Sequence, residues 1–310
     1  MLMPANAVRL EIRADGVAAA TFSAMASPCE VLLATTDEGL ARQVGESVAA
    51  EAWRIERKYS RYRSDSVVHS LCNSGGRPMG LDPETLLLLQ FASRCHELSG
   101  GAFDITSGVL RRAWKFDGSG RFPAAEEVAA LRERIGFGRL QLQGNRLKVP
   151  VGMELDFGGI GKEYAVDRAL ALVVSHFDGA ALVNFGGDMA ANRAPDSGPW
   201  RVGVERPGQQ QPRFTLLPGP QGEARPLLDF ERGGLATSGD THRFIEHEGR
   251  RYSHILDVRT GYPVVDPPRS VTVAASCCLE AGMVATLAML KGALAEDFLA
   301  EQGVTHWCLR

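Results

Sequence analysis

Residues 156–167 read Asp-Phe-Gly-Gly-Ile-Gly-Lys-Glu-Tyr-Ala-Val-Asp, three glycines and a lysine set ahead of a helical pattern. The chemistry such a stretch offers is anion binding, because a helix start presents unpaired N–H groups and the positive end of its dipole. A Walker A loop needs G-x-x-x-x-G-K-[ST], so that amides wrap the phosphates and a hydroxyl reaches the metal. Counting back from Gly161-Lys162, the first glycine position holds Asp156 and the hydroxyl position holds Glu163, so this is no P-loop. The dinucleotide fingerprint G-x-G-x-x-G fails as well, since the glycines fall at 158, 159 and 161. On this stretch alone, an ordinary tight turn and an anion cradle both stay open.

Six further clusters of small and polar residues recur where strands end: "RYRSDS" (61–66), "GGAFDITSG" (100–108), "NFGGD" (184–188), "LATSGD" (235–240), "SHILDVRTG" (253–261) and "AGMVAT" (281–286). Each taken singly is a turn or a cap. Together with the glycine stretch they exceed what loops require. Glycines let backbone approach a ligand, hydroxyls and amides bind phosphate oxygens, and aspartates hold a metal or a ribose. His254 adds a group whose ordinary pKa near 6.5 lets it take a proton from an attacking hydroxyl at neutral pH. Its plain alternative is a strand histidine hydrogen-bonded to a neighbour.

In order and wording these clusters resemble the ApbE family, the FAD:protein FMN transferases, across residues 20–310, with 1–19 left as an N-terminal extension or edge strand. The matching pieces are Met25 in "AMASP", "SRYRSDS", "GAFDITSG", "DFGGIGKEYAVD", "NFGGD", "TSGDTHRF" and "SHILDVRTGYP". The resemblance implies a magnesium-dependent enzyme that binds FAD and passes FMN to a threonine hydroxyl of an acceptor protein, with AMP leaving. It places the flavin pocket at Met25, Tyr62, Ala102, Phe103 and Asp104, and the phosphate or nucleotide cradle at Gly158, Lys162 and Tyr164. Asp188 and Leu256 join the cofactor site, and His254 becomes the base. The family's metal site pairs a carbonyl in the glycine turn, here Gly161, with the Asp and Thr of an A-D-x-x-x-T helix start. The threonine is Thr286, but the aspartate position holds Gly282.

That departure matters because Mg²⁺ wants oxygen ligands and usually at least one carboxylate. Glu280 cannot stand in, since residues two apart do not share a helix face. Asp257 and Asp188 are the candidate substitutes, and Gly282→Asp is expected to tighten Mg²⁺ binding. Two other activities fit the same residues: a non-catalytic FAD-binding protein lacking a complete metal site, or an FAD pyrophosphatase that gives FMN and AMP.

The elements that must position these residues follow from periodicity and punctuation. Leu147, Val149, Val151, Met153 and Leu155 alternate with polar residues and predict a half-buried strand or hairpin; Val166, Ala169, Leu170, Val173 and Val174 share a helical face after the glycines. Helices are expected over 38–59, after Asp82-Pro83, over 124–134, near 279–290 and over "ALAEDFLAEQ", and strands at "TFSAMASPCEVLLAT", "AALVNFGGD", "RVGVER", "SVTVAA" and "VTHWCL". "RFIEHEGRRYSHILD" reads as a hairpin turning at Glu248-Gly249, and 207–226 as a surface excursion. Helices and strands intersperse without regular βαβ alternation, which predicts an α+β single domain on a mixed or largely antiparallel sheet.

Composition bounds the rest. The 310 residues are 45% hydrophobic and 23% charged, an ordinary globular balance. A net charge of −3 without a basic stripe argues against nucleic acid as partner. The six cysteines have no C-x-x-C spacing and read as reduced, mostly buried thiols. Neither a signal peptide nor a membrane span is apparent, so the chain as written reads as cytoplasmic, or periplasmic if a leader was removed.

Overall fold

The computed structural model describes residues 7–203, 227–240 and 243–310. The expected surface excursion at 207–226, part of "RVGVER", and Thr241 and His242 of "TSGDTHRF" lie outside the described residues.

Among the described residues eight strands form the main sheet: β1 (Arg9–Ile12), β2 (Ala18–Ala24), β3 (Ser27–Leu33), β4 (Ala181–Phe185), β5 (Asp188–Ala191), β6 (Gly233–Gly239), β7 (Ser270–Ala275) and β8 (Thr305–Leu309). They lie side by side in chain order, with β1 at one edge and β8 at the other. Every neighbouring pair is antiparallel. The architecture is α+β, as the interspersed elements predict. Alternation along the strands sorts the side chains between two faces. Val31, Leu33, Val183 and Phe185 enter the larger core, whereas Leu32, Leu182, Met189 and Trp200 form a second cluster on the opposite face.

Among the described residues seven α-helices accompany the sheet: α1 (Glu38–Tyr59), α2 (Val67–Cys72), α3 (Pro83–Leu98), α4 (Ala125–Arg132), α5 (Gly161–His176), α6 (Cys278–Leu290) and α7 (Ala295–Gln302). Local chemistry sets their starts. Asp37 accepts from the Leu40 amide at 3.0 Å, and Asp82 accepts from Glu84 and Thr85 ahead of Pro83 in the first turn. Helices α1, α5 and α6 bury Val44, Val48, Ile55, Val166, Val173, Ala281 and Ala285 in the larger core. On balance α6 is buried nearly all round, and it packs across β6 and β7.

Two expectations on local structure meet different outcomes. Phe244–His247 and Arg250–Ser253 pair as a hairpin, turning at Glu248 (φ 49°) and Gly249 (φ 71°), the two-residue turn with both central residues in the left-handed region. The alternation at 147–155 makes only a short strand, Arg146–Lys148. Pro150 removes a ladder donor and Gly152 takes a φ of 82°, so the chain leaves the sheet while Val149, Met153 and Leu155 still point into the core; Val151 is exposed. The glycine stretch therefore follows an irregular segment rather than a strand.

All six cysteines are free thiols; Cys29, Cys95 and Cys278 are buried. Among the described residues no helix is long and apolar enough to cross a membrane.

Candidate active site

The glycine stretch folds as a turn that delivers the chain into α5, whose start no side chain caps. Asp156 holds the turn from inside: its carboxylate accepts from the Gly158 amide at 2.8 Å, from Arg61 at 3.0 Å and from Arg111 at 3.1 Å. Burial would raise its pKa, but the two guanidinium groups and the amide outweigh that and hold it below the ordinary carboxylate range. The ring of Phe103 lies against Gly159, where an added Cβ would sit 3.1 Å from it. A side chain there would press on the ring, so close approach rather than a left-handed backbone favours glycine at this position.

From this turn the contacts run outward to each of the other clusters. Lys162 reaches Asp188 at 2.7 Å, and Asp188 also accepts from the Thr237 amide at 3.1 Å. The adjoining turn at Gly186 and Gly187 bonds to the start of β3, the Gly186 N–H donating to the Pro28 carbonyl at 2.9 Å. In the β2–β3 turn Met25 and Ala26 take φ of 51° and 55°, a left-handed geometry that costs non-glycine residues of the order of 1 kcal/mol each. Ser238 and Thr286 share a hydroxyl hydrogen bond of 2.9 Å between β6 and α6.

Glu163 sits between α5 and α6 and is 8% exposed. Its Oε2 is buried with no hydrogen-bond partner among the described residues. Burial, and then the Asp188 carboxylate, raise its pKa to about 7 against the pull of Lys162. Across from it stands Gly282, where an added Cβ would lie 2.5 Å from Glu163 Cγ and 3.1 Å from Cδ and Oε1. An aspartate at position 282, expected from the sequence to tighten Mg²⁺ binding, would meet the Glu163 side chain, so one of the two carboxylates would have to shift.

His254 Nδ1 is likewise buried without a partner among the described residues, and Phe116 lies edge-on to the ring at 6.2 Å. Burial first, then the positive fields of Arg111 and Arg243, push its pKa down to about 4. At neutral pH the imidazole is uncharged, the state a proton acceptor needs. Arg111 thus belongs to both groups, joining His254 to the Asp156 turn.

Several residues expected in the site are committed elsewhere. Tyr164 turns into the core and donates to Glu84 at 2.9 Å, within a network that also holds Arg54 and Lys58. Asp104 is spent inside its own turn, accepting from Thr106 and from the Phe137 amide. Asp257, proposed as a metal ligand, is gripped by the Arg259 fork at 2.7 Å and by the Arg259 amide. Ala102 packs against Leu287 and Leu290, and Leu256 joins the apolar cluster around Trp114. Tyr62 is 84% exposed, with Arg61 5.4 Å from its ring centre, so it is no core aromatic. Sequence reasoning passed over Arg61, Arg111, Asp156 and Glu163. Two of these were in view as departures from a P-loop, and their positions in that failed pattern were the available signal.

Among the described residues no three His, Cys, Asp or Glu side chains form a metal cage. The donor set between α5 and α6 is smaller, a carboxylate and a hydroxyl.

Comparison with known proteins places this arrangement. The model of the ApbE family matches residues 25–307. An FAD:protein FMN transferase of Vibrio cholerae is 31% identical over 248 residues, covering 77% of this chain and 70% of the relative. One from Klebsiella pneumoniae is 27% identical over 285 residues, covering 88% and 78%. Among solved structures, the apo Pseudomonas stutzeri flavinyl transferase ApbE aligns with a TM-score of 0.80 at 29% identity, covering 98% of this chain and 92% of that one. The ApbE protein of Thermotoga maritima aligns at 0.79 and 27% identity, covering 94% and 93%.

Proposed function

The chain belongs to the ApbE family, and on that premise we propose that it transfers FMN from FAD to a threonine hydroxyl of an acceptor protein, releasing AMP. The observation that carries the reading is that six clusters, dispersed over the chain, link directly or through one another to one glycine turn, with a buried, uncharged His254 tied in through Arg111.

The threonine Oγ attacks the phosphorus on the FMN side of the pyrophosphate, its proton passes to His254, and the bond to the bridging oxygen breaks, so that AMP leaves with that oxygen. A base with a pKa near 4 accepts a proton weakly. An anionic dinucleotide beside Arg111 and Arg243 offsets the charges that depress His254 and lifts its basicity when the substrate is in place. The α5 start and Lys162 supply positive potential for the phosphates. Met25, Tyr62 and Phe103 offer apolar and aromatic surface to the flavin. Asp156 keeps Gly158 in its turn, a positioning role.

Mg²⁺, which the family implies, suits the oxygens present: the orphaned Glu163 carboxylate oxygen and the Thr286 hydroxyl would hold it, with the Gly161 carbonyl as the backbone ligand that the family resemblance implies. An ion held there supplies charge neutralisation for the transferring phosphoryl group.

The decisive experiment combines the protein, FAD, Mg²⁺ and an acceptor fragment bearing the target threonine. Covalent flavin fluorescence on the acceptor band is the expected result. Free FMN and AMP formed equally fast without acceptor would replace this reading with FAD hydrolysis, and FAD binding with neither product would replace it with a flavin-binding role. A second test concerns Tyr62. Because the side chain is exposed, Tyr62→Ala leaves the melting temperature almost unchanged. Loss of an aromatic contact to the flavin weakens FAD binding by roughly 2- to 12-fold, measured by fluorescence titration.

A further inference from the structure

Helices α5 and α6 are locked in register by a carboxylate one turn beyond Glu163. Asp167 accepts from the Cys278 amide at 2.8 Å and from the Leu279 amide at 2.9 Å, capping α6 from the side of its neighbour. With that end fixed, successive turns of α6 bring Cys278, Gly282 and Thr286 along one face, four residues apart. Successive turns of α5 set Asp167 and Glu163 against it. Glu163 therefore meets α6 at Gly282 and leaves no room there for a side chain, since an added Cβ would lie 2.5 Å from Glu163 Cγ.

A carboxylate oxygen that is buried with no partner is expensive, and folds rarely retain one without a use. Here it lies at a helix start, one turn of α6 from a threonine hydroxyl and next to the Lys162–Asp188 pair. Apolar packing at Gly282 would be served better by alanine opposite a small residue, whereas the fold places a glycine opposite a glutamate.

We propose that Glu163 of α5 is the divalent-cation ligand of this chain, supplying from the opposite helix the carboxylate absent at Gly282, and that the two positions form one exchangeable unit. The inference rests on the flavin-transfer reading of the same site. It makes Gly282 a consequence rather than a defect: a side chain there and Glu163 cannot occupy the same space.

The test uses Mn²⁺ as a paramagnetic probe, titrated into the purified protein with and without FAD and read by electron paramagnetic resonance. Glu163→Gln keeps the shape of the side chain and is expected to weaken Mn²⁺ binding by roughly tenfold or more. Gly282→Asp alone is expected to lower the melting temperature and to leave Mn²⁺ binding no tighter, because its Cβ would lie 2.5 Å from Glu163 Cγ. The exchange Glu163→Gly with Gly282→Asp is expected to restore both melting temperature and Mn²⁺ affinity. Mn²⁺ binding unchanged in Glu163→Gln, or an exchange variant that folds yet binds no better than Glu163→Gln, overturns the proposal. Acceptor labelling by the unsubstituted protein in the same preparation separates the two failures. Labelling with Mn²⁺ affinity indifferent to Glu163 removes only the ligand assignment, while absence of FAD binding and of labelling removes the flavin-transfer reading with it.

Discussion

His254→Ala is expected to slow flavin transfer by roughly 10²- to 10⁴-fold, the usual loss on removing a general base, while FAD binding changes little. The geometry separates the two effects. The charge of Arg111 acts on His254 while its side chain bonds Asp156 of the glycine turn, so the histidine is linked to the cradle through the arginine. Single-turnover labelling of an acceptor, alongside FAD titration, checks both halves. A comparable fall in affinity and rate would mean that the histidine holds the substrate instead. The same residue carries a pH signature. Its folded-state pKa, lowered to about 4, lies below the unfolded value near 6.5. Between those limits the unfolded chain binds the proton and the folded chain resists it, so stability falls as pH drops from about 6.5 towards 4. Below about 4 both states are protonated and the loss is complete. Thermal melts across this window should show a shallower acid limb for His254→Ala than for the unsubstituted protein.

Asp188→Ala is the second large change, and it strikes stability first. Asp188 is almost fully buried at the start of β5, where it pairs with Lys162 at 2.7 Å and accepts from Thr237 N–H. Removing one partner of a buried ion pair costs about 3–5 kcal/mol, and the lower end applies here because the Lys162 side chain keeps 24% of its exposure. Denaturant unfolding followed by circular dichroism should show this as a lower midpoint with little change in slope. Asp188→Asn, which can keep the Thr237 bond, should lose less. Since Lys162 then loses its Asp188 contact, the surviving folded fraction should also bind FAD more weakly. A midpoint within experimental error of the unsubstituted protein would show that the pair is compensated on loss and does not anchor the turn.

The two outcomes depend on different links between sequence and structure. Asp188 was visible in "NFGGD" as an acid after two glycines, a common way to end a strand. What the fold adds is its partner, since Lys162 lies at the far end of the segment joining β3 to β4. His254 was legible as a chemical type. Its uncharged state was not, because burial and the fields of Arg111 and Arg243 arise from residues 143 and 11 positions away. The Glu163–Gly282 pair shows the difference most sharply. Read along the chain, Gly282 was a missing ligand and Glu163 a failed hydroxyl, two unrelated irregularities separated by 119 residues; in the fold they are one contact.

By itself the amino-acid sequence determined the local elements and the kind of chemistry. Asp82-Pro83, Glu248-Gly249 and the apolar faces of the helices express short-range constraints of backbone sterics, capping and periodicity, which need no knowledge of the rest of the chain. Tertiary structure alone decided who meets whom: Tyr164 and Asp104 take internal partners, Pro150 and Gly152 end a promising alternation, and Arg61 and Arg111 converge on Asp156. The physical reason is that each buried charge or amide must find its counterpart in space, and for these groups the counterpart lies on a distant segment whose approach is fixed only by packing of the whole sheet.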